Sequence, residues 1–188
     1  MIRIGITGSL ASGKSTVAKM ISSKKYPLFD ADKAVRKIYQ TNTFKSKILK
    51  KFNLQNKKNL RNKIIKIILT NKKSLRDLEK IIHPLVRKEI RKFSKKNKRK
   101  KLLVFEIPLL IESKQMQSYD KIIFVNSRKD LRLKRYLKRG NNRRLFNLLN
   151  KRQLSPAKKI KFCDYVINNN NSLKLLKKNV KIIKKIYE

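Results

Sequence analysis

The chain has 188 residues, with 53 Lys or Arg against 11 Asp or Glu and a net charge of +42 at pH 7. That length suits one domain with its own core, and the single cysteine, Cys163, excludes an internal disulfide. No run reaches the ~18 apolar residues of a membrane span, and residues 1–6 lack the apolar core and cleavage site of a secretory leader, so a soluble cytoplasmic protein is expected.

Hydrophobic periodicity then maps the chain. Arg3–Ile6 reads as a short strand ending in Thr7-Gly8, and Ser15–Ser23 as a helix with Val17, Met20 and Ile21 on one side. Tyr26–Phe29 is a second strand, ended by Asp30-Ala31-Asp32. From Lys33 to Phe93 the pattern is helical, carried by Ala34, Val35 and Ile38, then Ile64, Ile65 and Ile68, then Leu78, Ile81 and Ile82. His83-Pro84 should break that pattern, because proline restricts the preceding residue to extended geometry. Leu102–Glu106 is a continuous apolar run, as in a strand buried on both faces. Ile122–Val125 and Tyr165–Ile167 read as two more strands. Leu173, Leu176, Val180, Ile183 and Tyr187 line one face of a basic C-terminal helix, a stripe that suits core packing. Strands alternating with helices imply a parallel sheet covered on both sides.

Between the first strand and the first helix stands Gly8-Ser9-Leu10-Ala11-Ser12-Gly13-Lys14-Ser15, a complete G-x-x-x-x-G-K-S. Glycine at 8 and 13 lets the backbone turn tightly and approach phosphates without a Cβ in the way. The N–H groups of the loop and first helical turn, Gly8 and Ala11 through Thr16, converge on the anion with the helix dipole behind them. Lys14 supplies a point charge at the β- and γ-phosphates, and the Ser15 hydroxyl ligates Mg²⁺. The pattern predicts binding of a nucleoside triphosphate. No Asn-Lys-x-Asp motif of a GTPase follows. The third strand ends in one acid, Glu106, which could hold the metal through a water or cap the strand. Asp32 follows the second strand on the sheet edge where ligands bind in open α/β sheets. It could orient an acceptor hydroxyl and take its proton, or simply cap a helix.

The segments GITGSLASGKSTVAKM, FDADKAVRKI, IIHPLVRKEI, VFEIPLLIE, RLKRYLKRG and RQLSPAKKIKFCDYVINN, in this order over residues 2 to 176, resemble the dephospho-coenzyme A kinase family. His83-Pro84-Leu85, Ile107–Glu112 and Cys163–Asn169 are not general features of phosphate-loop proteins. The resemblance implies an α/β P-loop kinase: a five-stranded parallel sheet flanked by helices, in a single domain over 1–188. Within it, 33–93 would be a helical acceptor-binding segment and 128–150 a lid. It implies transfer of the ATP γ-phosphate to the 3′-hydroxyl of dephospho-coenzyme A, with Mg²⁺ and with ATP and dephospho-coenzyme A as the molecules bound. By position, Asp32 would be the base, Lys14 a catalytic cation, and Arg135 and Arg139 lid arginines, four residues apart and so on one helical face. Arg61 would meet an acceptor phosphate, His83 and Pro108 would shape the acceptor site, and Leu109-Leu110 would wall it.

The chain departs from the family at Ser9-Leu10-Ala11, where more glycine is usual, at Lys57-Lys58-Asn59, where an acidic-glycine turn is usual, and at Cys163, usually alanine. Shikimate kinase, whose second strand also ends in F-x-D-x-D, is the nearest enzyme rival. A nucleic-acid-binding ATPase would exploit the charge. The basic residues, however, recur from Lys45 to Lys185 instead of forming one patch. They read as compositional drift on exposed sites, so a monomer with no specific nucleic-acid or membrane partner is expected.

Overall fold

The computed structural model describes residues 1–187 apart from Lys24 and Lys57, with Lys72 described through its backbone only. Of the three residues Lys57-Lys58-Asn59, Lys57 therefore lies outside the described residues. The chain groups into two compact units: Met1–Asp30 with everything from Asn97 onward, and Ala31–Lys96.

The first unit holds β1 (Ile2–Gly8), α1 (Lys14–Ser22) and β2 (Leu28–Asp30) before the second unit interrupts it. The second unit is α2 (Ala31–Gln40), α3 (Asn42–Phe52), α4 (Leu60–Thr70) and α5 (Lys72–Lys96). The first unit then resumes with β3 (Leu102–Glu106), β4 (Lys121–Asn126), α6 (Lys129–Leu137), α7 (Arg143–Arg152), α8 (Pro156–Ile160), β5 (Tyr165–Asn168) and α9 (Leu173–Lys185).

Five parallel strands form one sheet in the order β2-β3-β1-β4-β5. All five residues of β3 are buried, which is why it reads as an unbroken apolar run. β2 begins at Leu28 and not at Tyr26, because Pro27 has no N–H to give the ladder; its carbonyl still accepts the Val104 N–H at 3.0 Å. The registers Asp30↔Glu106, Ile6↔Glu106 and Asn126↔Asn168 bring these strand ends to one edge. On one face Val17, Ala18 and Ile21 of α1 and Leu176, Val180 and Ile183 of α9 pack with Ile4, Ile6, Val104 and Ile123. Burying such side chains stabilises by ~1.5–3 kcal/mol each. Leu173, predicted to share that stripe, stands at the first position of α9 and is exposed.

In the second unit α2, α3 and α4 pack on α5. Phe44, Ile48, Ile64, Ile68, Leu75, Leu78 and Ile90 are buried there. The predicted break at His83-Pro84 does not occur, and α5 runs 25 residues through Pro84. A proline inside a helix costs ~3 kcal/mol. Here its ring is on the exposed side, as is Lys80. Water can therefore satisfy the Lys80 carbonyl that proline leaves without a partner, while burial of the opposite face holds the helix on its course.

Candidate active site

The loop between β1 and α1 lies at the carboxyl edge of the sheet, and its backbone is one that few residues tolerate. Gly13 has φ 98°, and a Cβ there would come within 2.2 Å of Asn169 Nδ2. Ala11 also takes a left-handed backbone, φ 59°. Gly8 leaves room for the Val125 carbonyl, which an added Cβ would approach to 2.4 Å. Ser12 and Lys14 are buried. Lys14 Nζ donates to the carbonyls of Ser9 at 3.0 Å and Gly8 at 3.3 Å, so its ammonium stays over the loop it belongs to.

At the foot of the loop Ser15 Oγ donates to Glu106 Oε1 at 2.6 Å, with Glu106 only 2% exposed. A hydroxyl and a carboxylate side by side are the hard oxygen donors that Mg²⁺ prefers. No cluster of three His, Cys, Asp or Glu side chains suited to a metal occurs among the described residues. Any metal here would therefore be held by few protein ligands, as is usual for Mg²⁺ on a nucleotide.

Residues 127–169 meet the loop through Asn169, Arg132 and Gln153, to which the sequence assigned no role, with Arg135, named above, bonded to Asn169. Asn169, the last residue of the Cys163–Asn169 segment, donates from Nδ2 to the Ser12 carbonyl at 2.9 Å. Arg135 donates to Ser127 Oγ and to the Asn169 carbonyl, both at 3.0 Å. Arg132, one of the basic residues read as lying on exposed sites, is instead buried, and that burial lowers its pKa. Gln153 Oε1 accepts the Leu10 N–H at 2.9 Å. Only the resemblance, through RLKRYLKRG and RQLSPAKKIKFCDYVINN, pointed to these stretches.

Arg139 differs from expectation. α6 ends at Leu137, and a turn to Gly140, φ 75°, follows with the Gly140 N–H on the Leu137 carbonyl. Arg139 is thus in the turn, exposed, and shares no helical face with Arg135. Its side chain makes no hydrogen bond or ion pair with the described residues.

Past Glu106 the chain leaves the sheet: the Ile107 N–H bonds the Ile6 carbonyl at 2.9 Å, and Thr7 Oγ1 donates to the Pro108 carbonyl at 3.2 Å. Pro108 and Leu109 are half-buried, but Leu110 is wholly buried beside Gly5, so it belongs to the core and walls no pocket. Glu112, which ends this segment, pairs with Lys159 Nζ at 2.6 Å and accepts the Leu154 N–H at 3.0 Å; Lys159 is 0% exposed.

In the helical unit Asp32 is exposed in the first turn of α2, two residues along the chain from Asp30 at the end of β2. Arg61 is exposed at the second position of α4. His83 is half-buried in α5; burial lowers its pKa, Glu79 raises it and Arg87 lowers it, with a net fall that leaves the imidazole neutral at pH 7. Cys163 is similarly muted: burial and then Asp164 push its thiol up to about 11, against a lowering by Lys159.

A parallel sheet in this order, with a G-x-x-x-x-G-K-S loop on its carboxyl edge, defines a P-loop small-molecule kinase fold. The pattern of the dephospho-CoA kinase family matches residues 2–174. The dephospho-CoA kinase of Fusobacterium nucleatum is 38% identical over 182 residues, 94% of each chain. The structure of the Campylobacter jejuni dephospho-CoA kinase superposes with a TM-score of 0.70 at 29% identity, covering 98% of this chain and 96% of that one. The chain belongs to the dephospho-CoA kinase family. Shikimate kinase from Acinetobacter baumannii, at 12% identity and a TM-score of 0.57, shares the fold alone. No described helix is long and apolar enough to cross a membrane.

Proposed function

We propose that this chain transfers the γ-phosphate of ATP to the 3′-hydroxyl of dephospho-coenzyme A, giving coenzyme A and ADP. The observation that carries the reading is the loop Gly8–Ser15 on the sheet edge, with Ser15 hydrogen-bonded to Glu106, in a chain of this family. The loop N–H groups and the start of α1 receive the triphosphate, and Lys14 lies along its β- and γ-phosphates. Ser15, with Glu106 behind it, would hold Mg²⁺, which when bound neutralises charge on those phosphates. Asp32 accepts the proton of the 3′-hydroxyl as its oxygen bonds to phosphorus. Arg135 and Arg139 contribute positive charge as the phosphoryl group moves. Arg61, His83, Pro108 and Leu109 serve the acceptor, with His83 as a neutral shaping residue. The protein acts as a cytoplasmic monomer with no specific nucleic-acid partner.

Purified protein supplied with Mg-ATP should phosphorylate dephospho-coenzyme A and leave shikimate untouched. Turnover on shikimate alone, or ATP turnover that requires RNA or DNA, would remove the assignment. Asp32→Asn should lower kcat by ~10²–10⁴, the usual worth of a general base, with ATP affinity near wild type. Unaltered turnover in that variant would reduce Asp32 to a helix-terminus residue.

A further inference from the structure

The tip of the phosphate loop has an unusual problem. Ser9-Leu10-Ala11 contains no glycine, yet Ala11 has φ 59°. A left-handed backbone costs a residue with a Cβ ~1–2 kcal/mol, so something outside the loop must hold it there.

The surroundings of Leu10 supply that support. Its N–H donates to Gln153 Oε1 at 2.9 Å, and its carbonyl accepts from Arg132 Nη1 at 3.3 Å. Arg132 is 4% exposed, and its hydrogen-bond partners among the described residues are all neutral. Besides Leu10 these are the Ser127 carbonyl, met by Nε at 3.0 Å, and Asn150 Oδ1, met by Nη1 at 2.8 Å. Its guanidinium carbon also stands 5.8 Å from the centre of the Phe146 ring. Burying a cation away from any carboxylate is costly. In return, one rigid fork joins the first residues after β4, α7 and the loop tip. The apolar atoms follow the same plan: Ala11 is buried with Tyr136 and Phe146, and Leu10 and Leu133 pack against them.

We propose that Arg132 and Gln153 are positioning residues for the phosphate loop. By holding both backbone polar groups of Leu10 they keep Ala11 left-handed, so that the N–H groups after it face the nucleotide. The lid segment thereby shapes the loop whether or not it also folds over ATP. The proposal rests on the reading of Gly8–Ser15 as the nucleotide site, and not on the identity of the acceptor.

The test is ATP binding by calorimetry without acceptor, followed by steady-state kinetics with dephospho-coenzyme A. Gln153→Leu should weaken ATP binding by about tenfold, through one lost hydrogen bond and the released tip. KM for dephospho-coenzyme A should change less than about twofold on the same reasoning, since the residues assigned to that substrate under the proposed function do not include the tip. Adding Ala11→Gly to Gln153→Leu should restore most of the affinity, because glycine holds the left-handed backbone at little cost. Arg132→Ala should behave like Gln153→Leu; if it fails to fold, Gln153→Leu with its glycine rescue decides. Unaltered ATP affinity, equal damage to both substrates, or no recovery with Ala11→Gly would overturn the proposal. If wild-type protein binds ATP but ignores dephospho-coenzyme A, the acceptor reading fails and the binding test still stands.

Discussion

Gly13→Ala puts the phosphate-loop geometry to a quantitative test. The new Cβ would meet Asn169 Nδ2 at 2.2 Å, the free end of a side chain that can rotate away. Rotation breaks the 2.9 Å bond from Asn169 to the Ser12 carbonyl, a loss of ~1 kcal/mol. Alanine must also hold φ 98°, which adds ~1–2 kcal/mol. The loop can escape both costs by relaxing, but ATP binding must then pull it back. The sum of ~2–3 kcal/mol corresponds to ATP binding weakened about 30- to 150-fold. Calorimetry on the wild type, Gly13→Ala, Asn169→Ala and the double variant separates the two contributions. Asn169→Ala alone should lose about fivefold, the worth of one hydrogen bond. The double variant should match Gly13→Ala to within about twofold, because both changes delete the same bond. Wild-type affinity in Gly13→Ala, or fully additive losses in the double variant, would refute this account of the loop.

Lys159→Met should destabilise the fold by ~3–5 kcal/mol, since it leaves the Glu112 carboxylate without its cation, and adding Glu112→Gln should recover part of that in chemical denaturation. An unchanged midpoint in Lys159→Met would mean the pair is incidental. His83 gives a pH signature. Its folded pKa lies below the ordinary 6.5, so the unfolded chain binds the proton first and the group's contribution is complete above pH 6.5. Stability should fall as pH drops below 6.5, and His83→Gln should flatten that part of the profile while tracking wild type above pH 7. Parallel profiles at every pH would show that the imidazole titrates as it does unfolded.

The centre of the sheet was legible because β3 is apolar and buried along its whole length, so Leu102–Glu106 could be delimited to the residue. The loop was legible because its glycines answer to geometry that few other residues can meet. Two things resisted. Local rules put a break at Pro84, but they do not include the burial of Leu75, Leu78 and Ile90 that carries α5 past it. Arg132 looked like its neighbours Arg128 and Lys134, since nothing in a run of basic residues says which one turns inward. Arg139 shows the converse, a residue assigned to a helical face that the Gly140 turn removes.

β2 and β3 are parallel neighbours, yet the chain travels from residue 31 to 101 between them, far beyond the dozen or so residues such a crossover requires. Asp32 sits at the very start of that excursion, tethered by a single residue to the strand end. Helices farther along can therefore be exchanged or resized without altering that short tether. A lineage could retune which hydroxyl compound it accepts by rewriting residues beyond 40, while leaving the proposed base and the phosphate loop untouched.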